Sequence, residues 1–108
     1  MFTPVYADAF NNRGNAYDDL HQYDKAIADC SEAIRLKPDY PEAFYNRGNA
    51  YDELHQYDKA IADYSEAIRL KPDYSLAYEN RANTYKRSGN NNAVARDRAK
   101  ATELRASQ

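Results

Sequence analysis

Few residues of this 108-residue chain could take part in catalysis. Cys30 is the one cysteine, which excludes an internal disulfide and a cysteine-based zinc site, and we expect it to be a small buried hydrophobic residue. The two histidines, His21 and His55, fall in predicted turns and lack the further ligands that a metal site needs. Asp18 and Asp19 are adjacent on a helix and point apart, so they form no carboxylate pair. We therefore expect no enzymatic activity, no cofactor and no metal.

Asparagine, by contrast, recurs at a spacing that suits recognition. The first row is Asn12, Asn46 and Asn80, and the second is Asn15, Asn49 and Asn83. The rows lie three residues apart, which puts them on one face of a helix. Because a carboxamide both donates and accepts hydrogen bonds, the two rows could hold the backbone of an extended peptide. The alternative interpretation is that these amides hydrogen-bond neighbouring helices.

A repeat of 34 residues determines where these side chains lie. Residues 7–40 and 41–74 differ at only five positions, and residues 75–108 form a third, divergent repeat with a polar capping helix. Residues 1–6 are interpreted as an N-terminal extension of the first helix. A lone helix pair cannot bury its apolar face, so neighbouring repeats must stack. The sequence therefore predicts a single domain over residues 1–108.

Each repeat predicts two helices and no strand, which makes the chain all-α. In the second helix, apolar residues follow the helical period at Ala26, Ile27, Cys30, Ala33 and Ile34. Asp24 is the predicted N-cap of that helix, and Pro38 ends it. The pair Thr3-Pro4 predicts an early start for the first helix. Gly14 and Gly48, which are costly inside a helix, indicate that another helix approaches closely there.

These positions resemble the tetratricopeptide repeat family. The residues of the second repeat that carry the resemblance are Phe44, Gly48, Tyr51, Ala60, Tyr64 and Pro72. The family's leucine is replaced in every repeat, by Arg13, Arg47 and Arg81. The resemblance covers residues 7–108 and implies a right-handed superhelical solenoid of three helix-turn-helix repeats. It also implies a concave groove, lined by the first helices, that holds another polypeptide.

The resemblance implies that this chain is a non-catalytic protein-interaction scaffold that binds an extended peptide. The candidate groove residues are Asn11, Asn12, Asn15, Tyr45, Asn46, Asn49, Asn80, Asn83 and Arg87. If the amides contact the peptide, replacing Asn49 and Asn83 by Ala should weaken binding without lowering thermal stability.

One ligand known for the family is the acidic C-terminal tail of heat-shock chaperones, which a Lys, Asn, Asn, Lys, Arg set clamps. Asn15 and Asn46 match the two asparagines. The three cationic positions carry Asn11, Leu76 and Asn80 instead. Without these positive charges, charge-assisted carboxylate binding is lost. We therefore do not expect a chaperone tail as the partner.

Charge is unevenly distributed along the chain, and this leaves an alternative function open. The first two repeats each carry a net charge of -3 and the third carries +4, for a total of -2. Such a gradient could support self-association, head to tail or by domain swapping. The near-identity of two repeats also allows an engineered, consensus-like array that has no natural ligand.

Composition argues against other partners. The chain is acidic overall, and no aromatic residue lies among the arginines of its last helix, which does not favour nucleic-acid binding. No apolar stretch approaches the roughly 20 residues of a membrane span, and the N-terminus does not resemble a secretory signal. A cytoplasmic protein without membrane contact is the resulting expectation.

Overall fold

The structure, a computed structural model, describes residues 3–107, with side chains from Val5 onward. Within these residues, six α-helices follow one another and pair within each repeat. They are α1 (Thr3–Asp19), α2 (Tyr23–Leu36), α3 (Pro41–Glu53), α4 (Tyr57–Leu70), α5 (Ser75–Ser88) and α6 (Asn91–Ala106). Residues 3–107 contain no strand, so the all-α prediction is confirmed.

The helices stack as a solenoid. Each first helix packs on its own second helix, and α2 and α4 pack on the first helix of the next repeat. The first helices also lie beside one another, α1 against α3 and α3 against α5. The resulting body measures 42 × 30 × 19 Å, which is a slab and not a sphere.

The helix ends follow the sequence signals with one exception. α1 begins at Thr3, and α2 ends at Leu36 before Pro38, as predicted. The predicted N-cap at Asp24 is wrong, because Gln22 occupies that position and makes no side-chain cap hydrogen bond. Asp24 lies in the first turn, where its negative charge still favours the N-terminal end of the helix dipole.

The turn inside each repeat uses a left-handed residue. His21, His55 and Gly89 are 34 residues apart and have φ angles of 60°, 62° and 91°. A histidine in this region is strained, whereas glycine is not. Both turn histidines are exposed, and their left-handed conformation lets the backbone turn from the first helix of a repeat into the second.

The close approach predicted at two glycines is confirmed. A Cβ atom on Gly48 would lie 2.8 Å from Cε1 of the buried Tyr64 ring, and one on Gly14 would lie 2.8 Å from Sγ of Cys30. Alanine supplies much of the remaining buried surface. Burial raises the pKa of the Cys30 thiol to about 12, so this side chain stays protonated near neutral pH and acts as a hydrophobic residue.

An arginine–aspartate pair joins the two helices of every repeat. The pairs are Arg13–Asp29, Arg47–Asp63 and Arg81–Asp97, with Nε–Oδ2 distances of 2.7, 2.8 and 2.7 Å. Each guanidinium makes a second bond through Nη2 and is bidentate. Each also lies over two aromatic rings of its own helix. The arginine at this position therefore has a defined partner on the second helix of every repeat.

None of the helices in the described part of the chain is long and apolar enough to cross a membrane.

Candidate peptide-binding groove

The asparagines of neighbouring first helices hydrogen-bond one another. Asn46 donates its Nδ2 to Oδ1 of Asn11 over 2.9 Å. Asn80 donates its Nδ2 to Oδ1 of Asn49, also over 2.9 Å, and to the hydroxyl of Tyr45. These bonds run diagonally between helices instead of along the two rows that the sequence suggested. Part of the asparagine set therefore has the structural role that the alternative interpretation gave it.

Three of the candidate residues are largely occupied by such internal contacts. Asn11 is buried, accepts from Asn46 and donates to the Tyr40 hydroxyl. Tyr45 accepts from Asn80 and packs its ring near the rings of Tyr64 and Tyr74. Asn11, Tyr45 and Asn46 thus hold α1, α3 and α5 in register.

Three other candidate amides are more accessible. Asn12 and Asn15 are exposed on α1, and Asn83 is half-buried on α5. None of these three side chains has a hydrogen-bond partner among the residues that the structure describes. They retain both donor and acceptor capacity for a ligand.

A cavity of 220 Å³ lies where the three first helices meet, and we call it the groove cavity. It is lined by Asp18, Asn49, Asp52, Glu53, Tyr64, Asn80, Asn83 and Arg87. Four of the nine candidate residues, namely Asn49, Asn80, Asn83 and Arg87, line it. The other five lie outside this lining. Four lining residues were not among the candidates, although the acidic pairs that end the first helices were a usable signal; they are Asp18, Asp52, Glu53 and Tyr64.

One carboxylate of the groove cavity is fully satisfied within the protein. Asp52 is buried, accepts a 2.8 Å hydrogen bond from the Thr84 hydroxyl and pairs with Arg87. Arg87, a candidate groove residue, therefore balances an internal charge. The Arg87 side chain is nevertheless half exposed and lines the groove cavity.

A second carboxylate is not satisfied. The Oδ1 atom of Asp18 is buried without a hydrogen-bond partner in the described part of the chain. Desolvation raises the pKa of Asp18, and the neighbouring charges of Glu53 and then Asp19 raise it further. Neither Asp18 nor Glu53 forms an ion pair with any cation that the structure describes. The α1–α3 side of the groove cavity therefore carries uncompensated negative charge.

The opposite side of the groove is positive. A second cavity of 530 Å³ is lined by Asn83, Lys86, Arg87 and Arg98. Arg98 occupies the position where the second repeat has Tyr64, and it is exposed. The groove thus changes from acidic at α1 and α3 to basic at α5 and α6, in line with the charge gradient of the sequence.

The positions of the family's cationic clamp remain without charge. Asn11 is buried, Leu76 is exposed, and Asn80 is bonded to α3. Asn15 is exposed, and Asn46 donates to Asn11.

Within residues 3–107, no group of three or more His, Cys, Asp or Glu side chains is placed to hold a metal ion.

Comparisons with known proteins agree with this architecture. The sequence profile of the tetratricopeptide repeat matches residues 7–40 and 41–74. No curated protein sequence matches the chain. Among solved structures, MamA is 30% identical with a TM-score of 0.90 over 97% of this chain, which spans 61% of the MamA chain.

Two further structures are similar. The first TPR of Spaghetti (RPAP3), solved with the HSP90 peptide SRMEEVD, is 25% identical with a TM-score of 0.92, over 97% of this chain and 83% of that one. The TPR domain of Arabidopsis OM64 is 24% identical with a TM-score of 0.94, over 98% of this chain and 88% of that one, and shows the fold alone.

Proposed function

The chain belongs to the tetratricopeptide repeat family, and we propose on that basis that it is a non-catalytic module that holds an extended peptide in its concave groove. The Spaghetti domain, which is similar over nearly the whole of this chain, contains a bound peptide. The observation that carries the proposal is the groove cavity, whose lining includes the accessible amide of Asn83 and a buried carboxylate oxygen of Asp18 that has no partner within residues 3–107.

The charges of the groove restrict the chemistry of the peptide. A lysine or arginine side chain placed between Asp18 and Glu53 would neutralise charge that no described residue compensates, and it would give Asp18 Oδ1 a donor. Asn83 would hydrogen-bond the peptide backbone beside it. The acidic chaperone tail is not proposed, because Asn11, Leu76 and Asn80 supply no cation for it.

Asn83 and Asn49 are expected to respond differently to replacement by alanine. With peptides selected from a random octapeptide display library, Asn83→Ala should weaken binding about fivefold and leave the melting temperature unchanged, since no described residue bonds its amide. Asn49→Ala should lower stability by about 1–2 kcal/mol, because Tyr64 and Asn80 lose their acceptor. This revises the sequence-based expectation for Asn49, which assumed that its amide was free.

Fluorescence anisotropy and thermal melting measure the two effects. The proposal further expects the selected peptides to be enriched in lysine or arginine. If the selected peptides are not enriched in lysine or arginine, the proposed cationic side chain is wrong. If Asn83→Ala and the parent protein bind a peptide with equal affinity, the groove is not the binding site.

Asp18→Asn is expected to raise stability and weaken binding together. The raised pKa means that ionised Asp18 opposes folding at neutral pH, and this opposition disappears as the pH falls through its folded-state value. After allowance for solvent screening, the free energy of unfolding of Asp18→Asn should increase by a few tenths of a kcal/mol, which corresponds to about 2 °C in melting temperature. Affinity for a lysine-containing peptide should fall about tenfold.

Asp73→Asn, in an exposed loop, is the matched control and should change neither quantity. Scanning calorimetry and anisotropy at pH 7 provide the measurements. A loss of stability in Asp18→Asn would mean that this carboxylate is structural.

Head-to-tail self-association is the second candidate, and it is supported by charge alone. Asp18 and Glu53 line the groove cavity, and the cationic residues Lys86, Arg87 and Arg98 line the second cavity. In α6, Ala99 and Thr102 replace the serine and isoleucine with which α2 and α4 contact the next repeat. The peptide-binding function is therefore the better supported of the two.

A further inference from the structure

Asp18 and Asp52 occupy the same position in successive repeats, and they differ in their partners. Oδ1 of Asp52 accepts a 2.8 Å hydrogen bond from the Thr84 hydroxyl, and Oδ2 pairs with Nη1 of Arg87. Both partners lie on α5, the first helix of the next repeat. The carboxylate of the second repeat is therefore satisfied by one hydroxyl and one guanidinium from the helix beside it.

The helix beside Asp18 lacks both of these groups. α3 carries Ala50 where α5 carries Thr84, so the hydroxyl is missing. It carries Glu53 where α5 carries Arg87, so a second anion replaces the cation. The buried Oδ1 atom of Asp18, which has no partner in the described part of the chain, is explained by these two differences on an internal helix.

The two carboxylates are accessible to one ligand. Asp18 and Glu53 both line the groove cavity, and Glu53 is exposed. Oε2 of Glu53 accepts a long hydrogen bond, 3.4 Å, from the Tyr23 hydroxyl. After desolvation, the charge of Glu53 is the next cause of the raised pKa of Asp18, so the two side chains are within electrostatic reach of each other. A cation between them would reduce this repulsion and give the buried oxygen a donor.

We propose that this side of the groove cavity is selective for arginine, and that the guanidinium of a peptide arginine takes on Asp18 the place that Arg87 takes on Asp52. The inference rests on the proposed peptide-binding function and narrows its ligand from a basic to an arginine side chain. The chain itself supplies the template, because a guanidinium already satisfies the equivalent carboxylate one repeat further on.

Lysine is the poorer occupant of this site. A guanidinium has five N–H donors in fixed directions, so one arginine can bond Asp18 and Glu53 at the same time. An ammonium group is a compact charge that is more strongly hydrated, and it loses more hydration on approaching a buried oxygen. The combination of a buried and an exposed carboxylate therefore favours arginine.

Three synthetic octapeptide pools test the choice of side chain. One central position is arginine, lysine or citrulline, and the other positions are randomised without basic residues. Citrulline keeps the shape of arginine and has no charge. In fluorescence anisotropy, the arginine pool should bind about fivefold more tightly than the lysine pool and about twentyfold more tightly than the citrulline pool.

The pools separate this inference from the function on which it rests. Equal affinity for the arginine and lysine pools, both above the citrulline pool, would overturn the arginine selectivity and leave a basic peptide as the ligand. If none of the pools binds, the selectivity and the proposed peptide-binding function are both wrong.

Glu53→Arg tests the template without a peptide, because it rebuilds on Asp18 the arrangement that Arg87 makes on Asp52. The guanidinium supplied by α3 should pair with Asp18 and raise the melting temperature by about 3 °C. In an Asp18→Asn background, the same substitution should produce no such rise. The arginine pool should bind Glu53→Arg about tenfold more weakly than the parent protein, because the site is already filled.

Asp73→Arg makes the same change of net charge in an exposed loop and is the matched control. It should alter neither the melting temperature nor the affinity for the arginine pool. The proposal is overturned if Glu53→Arg raises the melting temperature equally with Asp18 and with Asn at that position, since the guanidinium would then not act through this carboxylate. Unchanged affinity of Glu53→Arg for the arginine pool would overturn it as well.

Discussion

Replacing Asp97 by alanine should reduce the free energy of unfolding by about 3 kcal/mol, because it leaves the Arg81 guanidinium without its partner in a largely enclosed position. Asp97 is 1% exposed and holds Arg81 through two hydrogen bonds. The remaining bond from Arg81 Nη1 to Ser65 cannot replace a carboxylate. Urea unfolding measured by circular dichroism gives the change directly.

The repeats supply their own control for this prediction. Asp29→Ala removes the same bidentate pair in the first repeat, where Arg13 is mostly exposed and can be hydrated. Its effect should be much smaller. The double variant Arg81→Leu/Asp97→Leu removes both charges and should recover most of the stability lost in Asp97→Ala. Equal losses in Asp29→Ala and Asp97→Ala would show that burial does not determine the strength of these pairs.

Replacing Tyr64 by alanine should lower the free energy of unfolding by about 4 kcal/mol. The ring is 1% exposed, lies against the Gly48 backbone and is the largest fully buried side chain. Its removal leaves a cavity that the rigid helices cannot close. The measurement is again equilibrium unfolding, supported by the melting temperature.

Tyr64→Phe separates the ring from the hydroxyl. It keeps the packing and removes only the hydrogen bond to Asn49, so we expect a loss of about 1 kcal/mol. Cys30→Ala, at the equivalent position of the first repeat, removes far less volume and should cost about 1 kcal/mol. A loss in Tyr64→Ala no larger than in Tyr64→Phe would contradict the packing argument.

The fold was readable from the sequence because its main determinants are local and periodic. Gly14 and Gly48 mark close contacts, and Pro38 marks a helix end, wherever the repeat is placed. The arginine–aspartate pairs were not foreseen. Their members are 16 residues apart on two helices, and their contact depends on the distance and rotation between those helices.

The groove was predicted only in outline. Equivalent asparagines were expected to align, but the offset between neighbouring first helices joins Asn46 to Asn11 and Asn80 to Asn49. The missing partner of Asp18 depends on the positions of all surrounding polar atoms, which no spacing reveals. Asn49 and Asn83 are the same residue type in the same row of the sequence. The sequence alone therefore could not show that Asn49 is hydrogen-bonded and Asn83 accessible.

The guanidinium groups of Arg47 and Arg81 also bear on how the chain unfolds. Each binds an aspartate of its own repeat and a serine of the one before, so a single side chain connects three helices. When one repeat opens, its neighbour loses a hydrogen bond as well as apolar contact. Nearest-neighbour coupling of this kind makes adjacent repeats melt as a cooperative unit, although each is only 34 residues long.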